Sequence, residues 1–240
     1  MTRIVWLGER GPLEFPPVER ALAEPDGLLA AGGDLSTARL LTAYRLGIFP
    51  WYSRGQPILW WSPDPRAVLI PTELKVSRSL AKSVRNAGFD VRFDSAFGDV
   101  IDACGDSELR AEGTWIVREM RAAYCRLHEE GFAHSIEVWR DGELAGGLYG
   151  VALGRIFYGE SMFTRVRDAS KVALKYLCDE LIRRNFVLID CQMVTSHLLS
   201  LGAKAIPRAD FSALLAVHAQ PPDPGGPWAY DATRNLSASV

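Results

Sequence analysis

The chain has 240 residues, of which 48% are hydrophobic and 23% charged, with a mean hydropathy near zero. That is enough apolar material for one large domain, or for an ordinary domain with a small partner. A formal net charge of −2 excludes binding to polyanions through overall charge, so any nucleic-acid contact must use a local basic patch.

The first stretch, residues 1–64, is rich in Pro, Gly and aromatic residues and reads as a small N-terminal domain. Ser36 caps a helix with Leu40, Leu41 and Tyr44 on its apolar face, and Gly47 closes it. Turns and a tryptophan cluster, Trp51, Trp60 and Trp61, come next, and the two prolines of SPDPR mark a junction near residue 64. Residues 65–240 read as the larger domain. A helix is expected from Ser77 to Gly88, then the strand FDVRF, then helices over 95–104 and 117–130. The segment HSIEVWRDGELAGGLYGVALGRIFYGESMF predicts three antiparallel strands, turned at Asp141-Gly142 and at 153–155. Asp168 or Ser170 caps a long helix running to about Arg184. The apolar run Phe186–Ile189 then makes a buried strand that ends in LIDCQ. A short helix from Thr195 to Leu201, an extended piece near Ile206 and a helix starting at Asp210 complete the chain. The tail past residue 219 reads as irregular with a mobile end. The fold class is α/β (α+β) with a mixed sheet. The element order is that of the GCN5-related N-acyltransferases, an analogy of topology that says nothing of function.

Four features bear on chemistry. Strand alternation should point Asp190 and Gln192 the same way, at the end of a buried strand where an unpaired carboxylate costs several kcal/mol. Either the pair is satisfied internally or it meets something that arrives. Glu160 sits among aromatics in RIFYGESMF, with Tyr158 and Met162 expected on its face and Phe157, Gly159 and Ser161 on the other. It reads either as a structural carboxylate or as part of a site shared with Asp190. The loop tryptophans serve either as core or as stacking platforms for a base. Arg78, Lys82 and Arg85 fall on one helix face, with Lys75 just before it. This face is either simply solvated or binds phosphates.

Other chemistries find no support. There is no Walker sequence, no G-x-G-x-x-G and no nucleophile elbow around Ser161. RVRDAS stands where acyl-CoA enzymes of this topology carry glycines that let backbone amides approach a pyrophosphate, which favours a donor other than CoA. Cys104, Cys125, Cys178 and Cys191 form no C-x-x-C pair and the histidines no HExxH, so no metal or cofactor is expected and the thiols read as reduced. Charges too early for a signal peptide, and no apolar stretch of about 18 residues, imply a cytoplasmic protein without a membrane span.

The segments GLLAAGGDLS, YRLGIFPWYS, PILWWSPDPRAV, EGTWI, AHSIEVW, GGLYGVALG, GESMF, ASK, LIDCQ and SLGAKAIPR together resemble the bacterial leucyl/phenylalanyl-tRNA–protein transferases over roughly residues 1–211. The resemblance implies transfer of Leu or Phe, less often Met, from aminoacyl-tRNA to proteins whose N-terminus is Arg or Lys. The new N-terminal residue would mark them for an adaptor and an ATP-dependent protease. It implies that Asp190 and Gln192 act as a relay on the attacking amine and that Glu160 contacts the amine or the aminoacyl group. Glu160 or Asp190 would also face the acceptor's cationic side chain. The donor side chain would sit among Leu148, Phe157, Met162, Leu174, Leu177 and Ile189. Leu148 and Leu177 depart from the Met and Phe that other members often carry. Trp51 and Trp115 would frame the terminal adenosine, Tyr44 and Tyr124 would line the site, and Lys75, Arg78, Lys82 and Arg85 would hold the acceptor stem. Nothing demands more than a monomer. Two alternatives are an acyl-CoA-dependent N-acyltransferase and a noncatalytic tRNA-binding module.

Overall fold

The structure is a computed structural model, and it describes residues 4–9, 11–106, 116–221, 226 and 228. The N-terminal part holds more than the single helix read from sequence. Four short strands, β1 (Val5–Leu7), β2 (Leu28–Gly32), β3 (Phe49–Pro50) and β4 (Leu59–Trp61), form one sheet in the order β1-β2-β4-β3. Helix α1 (Thr37–Arg45) lies between β2 and β3, and the Ser36 hydroxyl accepts from the Arg39 N–H. This is the capping geometry that Ser favours.

The second sheet has seven strands: β5 (Arg66–Leu69), β6 (Asp90–Phe93), β7 (Ala133–Arg140), β8 (Glu143–Leu153), β9 (Ile156–Thr164), β10 (Leu188–Gln192) and β11 (Lys204–Ile206). Their order is β11-β5-β10-β9-β8-β7-β6. β9 and β10 run parallel and every other pair is antiparallel, so the sheet is mixed as expected. Strand β5, read from sequence only as a junction, fills the place between β10 and β11. At the β7–β8 turn Asp141 and Gly142 both take positive φ, the hairpin conformation that Asp-Gly favours.

The helices are α2 (Arg78–Asn86), α3 (Phe97–Gly105), α4 (Arg118–Glu129), α5 (Ala169–Arg183), α6 (Ser196–Ser200) and α7 (Arg208–His218). α7 starts two residues before the expected Asp210, with Pro207 in its N-cap position. Its ring presets the backbone and its missing N–H costs nothing there. Asp168 stands at the start of α5, but it adopts a left-handed conformation and its side chain does not cap the helix.

Alternation along β8 separates two cores. Tyr149, Val151 and Leu153 pack with α1, α3, α4 and the N-terminal residues Tyr44 and Trp60. Leu148 and Ala152 pack on the other face with Leu80 of α2 and with Val172, Leu174 and Leu177 of α5. The first core runs without a break from the small sheet into the large one. In the second core lies Trp228, only 1% exposed, stacked on His134 with ring centroids 4.1 Å apart. That residue belongs to the tail read from sequence as irregular; the rest of the tail past residue 228 lies outside the described residues. Among the described residues no helix is long and apolar enough to cross a membrane.

Candidate active site

Two neighbouring bulges build the site. On β8 and β9, Tyr149 pairs with Ser161 and Gly150 with Gly159, which leaves Glu160 with no residue opposite. On β10 and β5, Asp190 pairs with Val68 and Gln192 with Ala67, which leaves Cys191 extra. Such insertions re-aim side chains next to active sites. The bulge on β9 resets the alternation. Met162, expected beside Tyr158 and Glu160, packs instead with Phe157 in the core beneath α5. The bulge on β10 leaves Gln192 at φ +58° and breaks the shared facing expected of Asp190 and Gln192. The parallel pairing of β9 with β10 stops at Tyr158 and Asp190. Past that point Gly159–Met162 and Cys191–Gln192 line opposite sides of a cavity.

Asp190 is fully buried, and its partner is internal. Arg66 Nε and Nη2 donate to the two carboxylate oxygens at 2.8 and 2.7 Å. The guanidinium is itself held between the rings of Phe49 and Phe211, 4.9 and 4.8 Å from their centroids. Asp190 also accepts the backbone N–H of Gln192 at 2.9 Å, which fixes the strained turn of that residue. A bidentate pair of this kind compensates both buried charges, while Arg66 Nη1 has no hydrogen-bond partner among the described residues.

Glu160 is in a different state. Its carboxylate accepts the Tyr44 hydroxyl at 2.8 Å, the Tyr124 hydroxyl at 2.9 Å and Gln192 Nε2 at 3.2 Å. The two tyrosine oxygens lie 2.5 Å from each other. Among the described residues no cation pairs with Glu160 directly. Burial pushes its pKa up to about 7, although the two tyrosine hydrogen bonds pull it down; the Asp190 charge adds to the rise and Arg66 opposes it. The residue is half-buried and lines the cavity, and Tyr44, Tyr124 and Gln192 crowd its carboxylate, so desolvation leads. Tyr44 and Tyr124 are driven far above their ordinary range by burial and then by the Glu160 charge, so both stay protonated and donate.

The cavity encloses about 240 Å³. Leu148, Met162, Leu174, Leu177 and Ile189 contribute its apolar wall, and Glu160, Gln192 and His197 are among its polar lining residues. Of the residues read as donor-binding, Phe157 alone does not line it. That ring lies behind the wall, fully buried, 5.8 Å from Trp228. Tyr44 and Tyr124 stand behind Glu160 without lining the cavity. Trp51 is 39% exposed and packs edge-on against Trp61 at 5.5 Å. Trp60 is a core residue, its indole N–H given to the Gly32 carbonyl, and not a stacking platform. Trp115 lies outside the described residues. Lys75, Arg78, Lys82 and Arg85 are exposed and make no ion pair among the described residues.

A carboxylate poised to gain or lose a proton near neutral pH, in the lining of an apolar slot and beside a carboxamide, suits acid–base chemistry on a polar group whose apolar tail fills the slot. Comparison with known proteins identifies the setting. The family model described as leucyl/phenylalanyl-tRNA protein transferase matches residues 68–216, and the model of that family's N-terminal domain matches residues 33–64. The chain belongs to this family. A leucyl/phenylalanyl-tRNA–protein transferase from Thiobacillus denitrificans is 63% identical over 217 residues, 90% of this chain and 95% of that relative. One from Aromatoleum aromaticum is 59% identical over 234 residues, 98% of each. Among solved structures, a GCN5-related N-acetyltransferase from Kribbella flavida has a TM-score of 0.36 at 11% identity, over 68% of this chain and 58% of that one. Nothing about function follows from a likeness at that score.

Sequence reading missed several residues of this candidate site, among them His197 and Leu198 of the cavity wall and Arg66, the partner of Asp190. One signal was present: an arginine opens the apolar run Ala67-Val68-Leu69, and a cation leading a buried strand needs a counter-charge.

Proposed function

We propose that the chain transfers Leu or Phe, less often Met, from the 3′ end of aminoacyl-tRNA to the N-terminal amine of proteins that begin with Arg or Lys. The product carries a new N-terminal residue that directs it to degradation. The chain is an aminoacyltransferase, and the observation that carries the detailed reading is Glu160, paired with no cation among the described residues and with a pKa of about 7, in the lining of a slot of about 240 Å³. That volume is below the roughly 300–1,000 Å³ of pockets that enclose whole drug-sized ligands. It suits one unbranched-at-Cβ side chain such as Leu, Phe or Met, and not CoA.

With the donor side chain in the slot, the ester carbonyl lies by Gln192 and Glu160. The incoming α-amine, with an ordinary pKa of about 7.7–8.0, attacks that carbonyl. Ionised Glu160 accepts the proton the amine must lose as the C–N bond forms. The proton then passes to the 3′ oxygen as the ester C–O bond breaks. Tyr44 and Tyr124 hold both carboxylate oxygens in place. Gln192 keeps one N–H for the tetrahedral oxygen while the other bridges to Glu160. Asp190 is a positioning residue: neutralised by Arg66, it fixes Gln192 through the backbone N–H. The segment read as the N-terminal domain, residues 1–64, supplies Tyr44 to this centre. The acceptor's cationic side chain faces Glu160, and the exposed face Arg78, Lys82, Arg85, with Lys75, takes acceptor-stem phosphates without reading sequence.

The test is transfer of radiolabelled Phe from Phe-tRNA to an Arg-N-terminal peptide, with a Gly-N-terminal peptide as control. Arg-dependent label in the peptide is expected; no transfer, or equal transfer to both peptides, contradicts the reading.

A further inference from the structure

A second cavity, of about 610 Å³, adjoins the donor slot, and none of the roles given above uses it. Met162 and His197 line both cavities, so they form the partition between them. The second cavity lies between α2, the end of β9 and the start of α5, and its remaining walls include Ser79, Thr164, Arg167 and Lys171. Arg167 is 90% exposed and approaches Asp168 at 3.9 Å. Lys171 is 38% exposed and reaches the same carboxylate at 3.4 Å. Asp168 in turn accepts the Ser83 hydroxyl from α2 at 2.9 Å, which ties α2 to α5 across the cavity. One acid therefore stands against two cations within the cavity, and the unpaired cations Arg78 and Lys82 are carried by the same helix that supplies Ser79. Beside the apolar Ala103, Met162 and Phe163, the lining offers the hydroxyls of Ser79, Thr164 and Ser170 and two cations against one acid, and hydroxyl with cation is the chemistry of a phosphate site.

We infer that this cavity binds the phosphodiester that joins the terminal adenosine of the donor to the preceding nucleotide, with Arg167 and Lys171 as its counter-charges. This rests on the aminoacyl-tRNA reading above. A nucleotide chain that leaves the slot past Met162 and His197 enters the cavity that Arg167 and Lys171 line. From there the strand continues onto the basic face of α2. Arg167 and Lys171 thus join the slot to the acceptor-stem surface, and they act on donor affinity, not on the chemical step.

The experiment compares two donors with the full-length enzyme: Phe-tRNA, and phenylalanyl-adenosine, which carries the same ester and no phosphate. For Arg167→Ala combined with Lys171→Ala, the expected result is a KM for Phe-tRNA raised about tenfold or more with kcat little changed. The slope of log affinity against log salt should fall by about 0.7 for each lost contact. Turnover of phenylalanyl-adenosine should stay within twofold of the unaltered enzyme. Arg167→Lys with Lys171→Arg, which keeps the charges, should restore most of the Phe-tRNA affinity. Equal losses with both donors, or no change with Phe-tRNA, would overturn the assignment. If the unaltered enzyme uses neither donor, the functional reading itself fails, and that outcome is distinct from the other two.

Discussion

Replacing Asp190 with Asn separates a structural carboxylate from a chemical one. Asp190 and Arg66 are 0% and 1% exposed, so removing the charge from one leaves the other buried and uncompensated. Breaking a buried pair in this way costs about 3–5 kcal/mol. For a chain of this size each kcal/mol moves Tm by about 2–4 °C, so a fall of roughly 6–20 °C is expected by calorimetry or circular dichroism. Replacing both partners with apolar residues, Arg66→Met with Asp190→Leu, should recover much of that loss, because the desolvation cost disappears along with the attraction. In transfer assays run well below its Tm, Asp190→Asn should lose less activity than Glu160→Gln, since the Asn oxygen still accepts the Gln192 N–H that Asp190 holds at 2.9 Å. A Tm within about 2 °C of the unaltered enzyme, together with activity reduced a thousandfold or more, would refute this reasoning and make Asp190 the proton acceptor.

Leu177→Phe should narrow the donor slot and shift its preference from Phe toward Leu by about 10–200-fold in the ratio of kcat/KM values for the two charged tRNAs. Gly150→Ala should destabilise the fold by about 1–3 kcal/mol in urea titrations, because a Cβ there would meet the Tyr158 carbonyl at 2.2 Å, beside the bulge that exposes Glu160. Glu160 also predicts a stability trend. Its pKa near 7 in the folded protein lies above the ordinary 4.5, so the folded state holds the proton more tightly than the unfolded one. The resulting stabilisation is full at low pH and is lost as pH rises from about 4.5 through 7, by at most about 3 kcal/mol. Glu160→Gln should lack that loss when the two proteins are compared by denaturant titration across the range.

The large sheet was legible where its elements are long and local. Alternation over eight to eleven residues and an Asp-Gly turn define β7 and β8, and a serine and a glycine bound α1. The N-terminal strands were not legible, because two to five residues carry too little periodicity to stand out from turns. The site divides the same way. Asp190, Gln192 and Glu160 announced themselves as polar residues in apolar strands. Their roles depend on contacts that no local pattern encodes: Arg66 lies 124 positions from Asp190, and Tyr44 lies 116 from Glu160. The two bulges reverse the facing that strict alternation predicts, and a bulge leaves no mark in hydrophobic pattern alone. Trp228 shows the limit of composition: a Pro- and Gly-rich tail reads as loose, yet its indole is among the most buried in the chain.

Proton acceptance by Glu160 during aminoacyl transfer should appear in the pH dependence of kcat for Phe transfer to an Arg-N-terminal peptide. The unaltered enzyme should gain rate through a pKa near 7 as Glu160 ionises. Glu160→Gln should be slower by about 10²–10⁴-fold and should lack that inflection. The same inflection near pH 7 in both proteins, at comparable rates, would mean that Glu160 is not the proton acceptor.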